Sequence, residues 1–284
     1  MKLILFGTGA SGRALYPELS QRGEVVAFAD NNASRWGTTL FDVPICKPED
    51  CLLHMEYDAV VITSFGGFEE ILSQCRAMGI PEWKIDKSCF GPQLESRKAF
   101  LRDMAGLLNG YEQAGAVAEA GVYGGDFAKY INEYFPERTL HLFDTFEGFD
   151  QRDVAVEAEN AFSEAKAKHL ARTSVELVMS KMKYPDRVRI HKGYFPDTAV
   201  GIQDRFCFVN LDMDLYLPTC NGLRFFADKM TERGVILVHD YYTKEYAGVK
   251  AAVDEFISQY MDGRGVAKYP IGDSVSILLA GPWR

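Results

Sequence analysis

Short β-branched runs alternate with amphipathic stretches along this sequence, and that alternation most limits the folds open to it. The first part contains the strand-like runs KLILF, EVVAFAD and YDAVVITS, separated by helix-like stretches such as ASGRALYPELSQRG. The alternation restarts with AVAEAGVY, TLHLFDTF, RVRIHKGYF, RFCFVNLDMD and GVILVHDY. Strands alternating with helices favour a parallel sheet covered by helices. The sequence therefore predicts two Rossmann-like α/β domains, each with a ligand site at the carboxyl ends of its strands.

A helical pattern, SRKAFLRDMAGLLNGYEQAG, separates the two halves. It predicts a first Rossmann-like domain of the nucleotide-binding type over 1–92, a linking helix over 93–115 and a second domain over 116–284. The chain is expected to end in two strands, GVAKYPIG and SVSILLAG.

Composition excludes several classes of function. The net charge of -9 is spread over separate Asp and Glu residues without a basic block, which disfavours nucleic acid as a partner. The opening MKLILFGTG is too short for a signal sequence or a membrane span, and it is interpreted as a strand. The six cysteines show no CxxC pairing, so reduced core thiols of a cytoplasmic protein are expected.

The first glycine motif, FGTGASGRAL, places Gly7, Gly9 and Gly12 between a strand and a helix, and Asp30 ends the next strand. Such a turn lets a pyrophosphate approach the backbone, while the acid can accept ribose hydroxyl groups. The alternative is a purely structural turn with Asp30 at the surface. The run resembles the small nucleotide-binding-like domain at the front of many polysaccharide and nucleotide-sugar enzymes, which implies a context of polysaccharide biosynthesis.

The second glycine motif, VAEAGVYGGDFAKYI, has Glu119 two residues before Gly121, and a second strand ends in Asp144. Class I methyltransferases hold S-adenosylmethionine in this way, with glycines beside the methionine part and an acid on the ribose. The alternative is a structural turn with a satisfied acid. The candidate cofactor-binding residues of the two strand ends are Glu119, Gly121, Tyr123, Gly124, Gly125, Asp144, Thr145 and Phe146, although Phe146 could belong to the core.

Acidic residues follow two later strands. Asp212 and Asp214 come after FCFVNL, and His239 and Asp240 after GVILV. Residues two apart share one face of a strand, so both acids of the first pair are expected to project together. Clustered carboxylates repel one another unless a cation or protons compensate them, and Mg²⁺ prefers oxygen ligands. The sequence thus predicts a divalent metal on Asp212 and Asp240, with Asp214 as general base. Alternatively, Asp214 caps the following helix and Asp240 is a turn residue.

Five motifs in order, VAEAGVYGGDFA, LFDTFEGF, KGYFPDT, LDMDLYLPT and GVILVHDYY, resemble the TylF-type (macrocin) sugar O-methyltransferase family. The resemblance implies a class I methyltransferase fold for 116–284 and Mg²⁺-dependent transfer of methyl from S-adenosylmethionine to a sugar hydroxyl. It implies metal ligation by Asp212 and Asp240, Asp214 as base, and Gly193 and Tyr194 near the adenine.

This sequence departs from the family where His239 replaces one of two adjacent acids. Imidazole suits Mn²⁺, Fe²⁺ or Zn²⁺ better than Mg²⁺, so His239 is a candidate metal ligand or a candidate catalytic base. The helix-prone stretch 151–182 stands where the family has a lid over the site, although a solvated charged face explains its composition equally well.

Two other functions remain open from the sequence. The Gly7 motif would suit an NAD(P)-dependent oxidoreductase or epimerase of nucleotide sugars, and the His239 departure would suit a non-catalytic binding protein. The expected partner is a small saccharide or nucleotide sugar, with no nucleic acid and no membrane. Tyr241 and Tyr242, expected to be exposed, would be compatible with a homo-oligomer.

Overall fold

The structure, a computed structural model, describes residues 1–111 and 115–283. Packing divides it into two units, Met1–Glu95 and Ser96–Arg284. The division falls within helix α4 (Gly91–Gly110). Residues 112–114 of the predicted linking helix and Arg284 of the predicted second domain lie outside the described part.

The first unit is a six-stranded sheet with helices. In chain order its elements are β1 (Lys2–Phe6), α1 (Ala10–Arg22), β2 (Glu24–Ala29), β3 (Thr39–Leu40), β4 (Val43–Cys46), α2 (Pro48–His54), β5 (Ala59–Ile62), α3 (Phe68–Ala77) and β6 (Ile85–Asp86). The strand order is β3-β4-β2-β1-β5-β6, and β3 alone runs antiparallel to its neighbour. Carboxyl ends of the parallel strands therefore share one edge.

The second unit has a seven-stranded sheet. Its elements after α4 are β7 (Ala116–Ala120), α5 (Ala128–Tyr134), β8 (Leu140–Asp144), α6 (Gln151–Asn160), α7 (Val175–Ser180), β9 (Val188–Lys192), β10 (Phe206–Leu211), α8 (Tyr216–Ala227), β11 (Met230–Val238), α9 (Ala247–Glu255), β12 (Ala267–Pro270) and β13 (Ile277–Ala280). The strand order is β12-β13-β11-β10-β7-β8-β9. Strands β7 to β11 are parallel, and β13 and β12 add an antiparallel end.

Both faces of the second sheet are buried. Along β7, Ala116, Ala118 and Ala120 pack in one hydrophobic cluster while Val117 packs in another. A parallel sheet covered on both faces needs nearly continuous apolar strands, which explains why β10 reads FCFVNL rather than as a polar and apolar alternation. The prediction of an α/β fold with parallel sheets is confirmed.

Two surface features bear on earlier expectations. Tyr241 is only 4% exposed and its hydroxyl group donates to Asp254, so the expectation of an exposed Tyr241 is wrong, whereas Tyr242 is 47% exposed. All six cysteines, which lie in the described part of the chain, are free thiols. No helix within 1–111 or 115–283 is long and apolar enough to cross a membrane.

Candidate active site

A cavity lies along the carboxyl edge of the second sheet, where chain order reverses between β10 and β7. Open α/β sheets bind ligands at such a switch point. Gly121, Asp144, Gly193, Tyr194, Asp212 and Asp214 all contribute to its lining. Residues predicted separately from β7, β8, β9 and β10 thus meet in one cleft.

The turn after β7 lies directly against the segment that carries Asp212. Gly121 has φ +83°, and a Cβ there would overlap the backbone carbonyl group of Asp212. The amide of Asp212 in turn donates to the carbonyl oxygen of Ala120 at 2.8 Å. Glycine at 121 is required by both backbone conformation and this close approach.

Asp144 organises the glycine turn from the neighbouring strand. One carboxylate oxygen accepts from the amides of Val122 and Tyr123 at 2.7 and 2.9 Å, and the other accepts from the amide of Phe146 at 2.6 Å. A carboxylate has about four acceptor positions, so room remains for one ligand hydroxyl group. Tyr123 and Thr145 line the cavity beside it.

Other predicted cofactor residues serve the framework, and among the described residues they do not line this cavity. Glu119 is buried and accepts from Asn210 at 2.8 Å. Phe146 belongs to the hydrophobic core, as the alternative had it. Gly125 packs against Val178, and Gly124 lies near Asp126.

Asp212, His239 and Asp240 converge, as the sequence predicted. Their potential ligand atoms all lie within 4.8 Å of one another. Nδ1 of His239 is 3.0 Å from a carboxylate oxygen of Asp212 and 2.8 Å from one of Asp240. Burial and the nearby Arg97 act to lower the pKa of His239, but Asp212 and Asp240 raise it to about 10.

Asp214 reaches the cluster by a different route from the predicted one. Strand β10 ends at Leu211, and Asp214 has φ +60°, so the expectation that Asp212 and Asp214 project together because they share one face of an extended strand is wrong. Burial, Asp240 and Asp212 hold the pKa of Asp214 well above its ordinary range. Helix α8 has Leu215 as its N-cap without a side-chain hydrogen bond, which rules out the capping alternative for Asp214. Asp240 is likewise left-handed, with φ +59°.

A buried arginine that was not predicted from the sequence lies beside the acids. Arg97 is 4% exposed, stacks on the ring of Phe127 at 4.1 Å, and donates to Asn210 and Asp212, both at 3.1 Å. Burial acts to raise the pKa of Asp212, but His239 and Arg97 hold it well below its ordinary range. No pattern around Arg97 indicates this role, because Arg97 lies on α4, far along the chain from Asn210 and Asp212.

The donor set fits a divalent cation. Two carboxylates and one imidazole nitrogen are ligands for Mg²⁺, Mn²⁺ or related ions. Contacts of 3.0 and 2.8 Å between donor atoms resemble the separation of about 3.0 Å between adjacent ligands around a six-coordinate ion with bonds of about 2.1 Å. The same contacts also accommodate a proton on His239, so Arg97 and that proton compensate the acids when no cation is bound.

Helix α6 lies over the cavity and is held by two buried acids. Asp153 accepts from the hydroxyl group of Tyr194 at 2.8 Å, and Glu157 accepts from the amide of Tyr216 at 2.7 Å. The guanidinium group of Arg152 stacks on the ring of Tyr194 at 3.4 Å. Gly193 precedes this tyrosine with φ +136° and donates to the carbonyl oxygen of Asp144.

In the first unit, Asp30 pins the glycine turn. It accepts from the amide and hydroxyl groups of Thr8 and from the amide of Asn32, and Arg35 contacts it at 3.2 Å. A Cβ at Gly12 would overlap the carbonyl oxygen of Gly7, whereas a Cβ at Gly9 would meet nothing within 4 Å. The close contact between Gly7 and Gly12 therefore explains why position 12 is a glycine, whereas Gly9 leaves open space at the start of α1.

Comparisons with known proteins bear on both units. The family model described as Macrocin-O-methyltransferase (TylF) matches residues 95–265, and one described as C2185-like, N-terminal, matches residues 1–86. No curated protein gives a significant match.

The solved structures that resemble this chain include two methyltransferases. The O-methyltransferase NovP is 22% identical with a TM-score of 0.53, and the match covers 66% of this chain and 80% of that one. CalS11, a calicheamicin methyltransferase, is 18% identical with a TM-score of 0.52, over 75% of this chain and 84% of that one. At such identities the likeness shows the fold, and the predicted methyltransferase fold is confirmed.

Proposed function

Because this chain belongs to the macrocin-O-methyltransferase (TylF) family and is an O-methyltransferase, we propose that it moves a methyl group from S-adenosylmethionine to a hydroxyl group of a saccharide-like acceptor with a divalent cation. The observation that carries the proposal is the convergence of Asp212, His239 and Asp240 next to a cavity that Gly121 and Asp144 also line. A cofactor cleft and a cluster of candidate metal ligands thus share one edge of the sheet.

The cofactor fits the cavity by its chemistry. S-adenosylmethionine supplies an electrophilic methyl group on a sulfonium centre. Asp144 keeps acceptor capacity for a ribose hydroxyl group. Gly121 lines the same cavity, and its missing side chain leaves room for the carbonyl group of Asp212. Asp212 and Asp214 line the β10 side of the cavity, where they would face the sulfonium end of the cofactor.

The acids prepare the acceptor. Asp212 and Asp240, with His239 as a third donor, would hold a divalent cation, and its Lewis acidity would lower the pKa of a neighbouring hydroxyl group. In its ionised form, the carboxylate of Asp214 takes the proton of the acceptor. Its raised pKa makes it a stronger base than an ordinary aspartate. Helix α6 covers the cavity and would exclude water during transfer.

The proposal also covers the first unit, the acceptor, and the location and assembly of the protein. The first unit acts as a Rossmann-like domain of the nucleotide-binding type, for which its parallel sheet and the open space at Gly9 are the support. The acceptor is a free or nucleotide-linked saccharide, as expected of a sugar O-methyltransferase family. The protein operates in the cytoplasm as a homo-oligomer, which stays a prediction.

Calorimetric titration with S-adenosylmethionine and, separately, with NAD tests the cofactor. Binding of S-adenosylmethionine to the full chain supports the proposal, and binding of NAD alone contradicts it. Production of S-adenosylhomocysteine is then followed against a panel of nucleotide sugars with and without EDTA. We expect turnover to fall to background with EDTA and to recover with added Mg²⁺ or Mn²⁺. Turnover indifferent to chelation would remove the cation from the mechanism.

A further inference from the structure

The proposed mechanism leaves one buried carboxylate of the cavity unused. Asp153, on helix α6, is 6% exposed and lines the cavity with Tyr194. The hydroxyl group of Tyr194 donates to its Oδ1 at 2.8 Å. Among the residues that the structure describes, Oδ2 receives no hydrogen bond. Because Asp153 lines the cavity, this second oxygen keeps the capacity to accept a hydrogen bond from a ligand donor in the cleft.

The sheet order indicates which part of an adenosyl cofactor would reach Asp153. The cavity crosses the strand ends in the order β10, β7, β8 and β9. If the sulfonium lies by Asp212 after β10 and the ribose by Asp144 after β8, the base extends towards Gly193 and Tyr194 after β9. Tyr194 is the residue that holds Asp153.

The charges around Asp153 leave it able to accept. Its surroundings are the hydroxyl group of Tyr194, the guanidinium group of Arg152 and the acids Asp150 and Glu157. Burial raises the pKa of Asp153 to about 6, although Tyr194 opposes that shift. At pH 7.5 the side chain is therefore mostly an anion with a free acceptor oxygen.

We propose that Asp153 selects the adenine base of the cofactor, because its Oδ2 accepts a hydrogen bond from the exocyclic 6-amino group. The inference rests on the proposed function, since it assumes an adenosyl cofactor in this cavity. It makes a residue of the covering helix a specificity determinant, so that helix α6 senses the bound base directly.

The test is an exchange of donor and acceptor at this position. In Asp153→Asn, the amide oxygen still accepts from Tyr194, and the amide nitrogen replaces Oδ2 as a donor. The probes are S-adenosylhomocysteine and S-inosylhomocysteine, which carries a 6-oxo acceptor in place of the 6-amino donor, titrated calorimetrically into the full chain. We expect wild type to bind the adenosyl compound roughly tenfold or more tightly, and the variant to reverse that preference.

Controls separate selectivity from structure. Glu159→Gln removes a charge from an exposed position of the same helix, and we expect it to keep the wild-type preference. Reversal in Asp153→Asn alone supports the inference, because a purely structural role would weaken both ligands equally. Equal binding of the two probes by wild type overturns the inference and leaves the proposed function standing, whatever the variant's fold. Failure of wild type to bind either probe overturns both.

Discussion

Among single residues, Asp214 gives the most direct test of the proposed chemistry. Its left-handed backbone is one that asparagine tolerates, so Asp214→Asn preserves conformation while removing the basic oxygen. We expect kcat to fall by roughly 10²- to 10⁴-fold. The dissociation constant for S-adenosylmethionine should stay within about threefold, since the lost group serves the proton and not the cofactor. Steady-state kinetics and calorimetry measure the two quantities.

The matched control is Asp186→Asn, the same change at an exposed position. Its kcat should equal that of wild type. Full turnover in Asp214→Asn would mean that another group takes the proton of the acceptor hydroxyl. His239 would then be the next residue to test, because its Nδ1 lies among the same acids.

A second residue-scale prediction concerns pH and stability. His141 is 4% exposed and its Nδ1 lies 3.0 Å from Nε2 of His191. Burial and His191 lower the pKa of His141 to about 4, against the pull of Asp204. Between about pH 6.5 and 4, this histidine therefore binds more protons in the unfolded chain than in the folded one. Its contribution makes the free energy of unfolding decrease as the pH is lowered through that window.

His141→Gln should flatten this acid loss, because glutamine does not titrate. Urea unfolding midpoints at pH 7.5 and 5.0 measure it, with His169→Gln at an exposed position as the control. An unchanged difference between the two midpoints in His141→Gln would assign the acid sensitivity to other groups.

Some residues of the candidate site could be predicted from the sequence and others could not. The acids Asp212 and Asp240 could be predicted because each directly follows an apolar strand. Arg97 and Asp153 could not. Arg97 lies 115 positions from Asp212 on a helix of mixed composition, and Asp153 sits on a charged helix whose composition suggests a solvated face. Their roles depend on which helix face packs inward, and local pattern does not fix that.

Among the elements, the turn between β7 and α5 contains three glycines, and Gly121 and Gly124 differ in how closely their surroundings approach them. Gly121→Ala would place a Cβ against the carbonyl group of Asp212 at φ +83°, and we expect it to destabilise the fold by about 3 kcal/mol or more. At Gly124 a Cβ would meet its nearest atom, on Asp126, at 3.4 Å, so Gly124→Ala should cost less than about 1 kcal/mol.

Chemical denaturation of the two variants side by side measures the difference. Equal stabilities would mean that the turn adjusts freely, and would remove the packing argument for Gly121.

The sequence predicts a helix in the region of α6, but it does not show where that helix ends. The stretch 151–182 reads as helix-prone, but α6 ends at Asn160 and α7 begins only at Val175. Ala161 takes a left-handed conformation that stops the first helix. Buried contacts of Asp153 and Glu157 hold α6 over the cavity, so tertiary packing decides which part of the stretch covers the site.

At the scale of the whole molecule, the two units have separate hydrophobic cores. The clusters around Ile4 and Leu5 belong to Met1–Glu95, and those around Val117 and Val209 to Ser96–Arg284. We expect unfolding in two transitions. Gly12→Ala, which would overlap Gly7, should lower the transition of the first unit only, while Gly9→Ala should leave both unchanged. Differential scanning calorimetry measures this, and a single transition shifted as a whole would contradict it.

The α/β alternation, the two glycine turns and the acids at the strand ends can be predicted from the sequence, because each depends on a pattern within a few neighbouring residues. Folding of the whole chain is what makes Arg97 and His239 compensate Asp212, makes Asp144 hold the turn after β7, and makes Asp153 line the cavity. These arrangements join segments far apart in the chain. Their energies come from burial and packing of whole elements, which no short pattern of residues records.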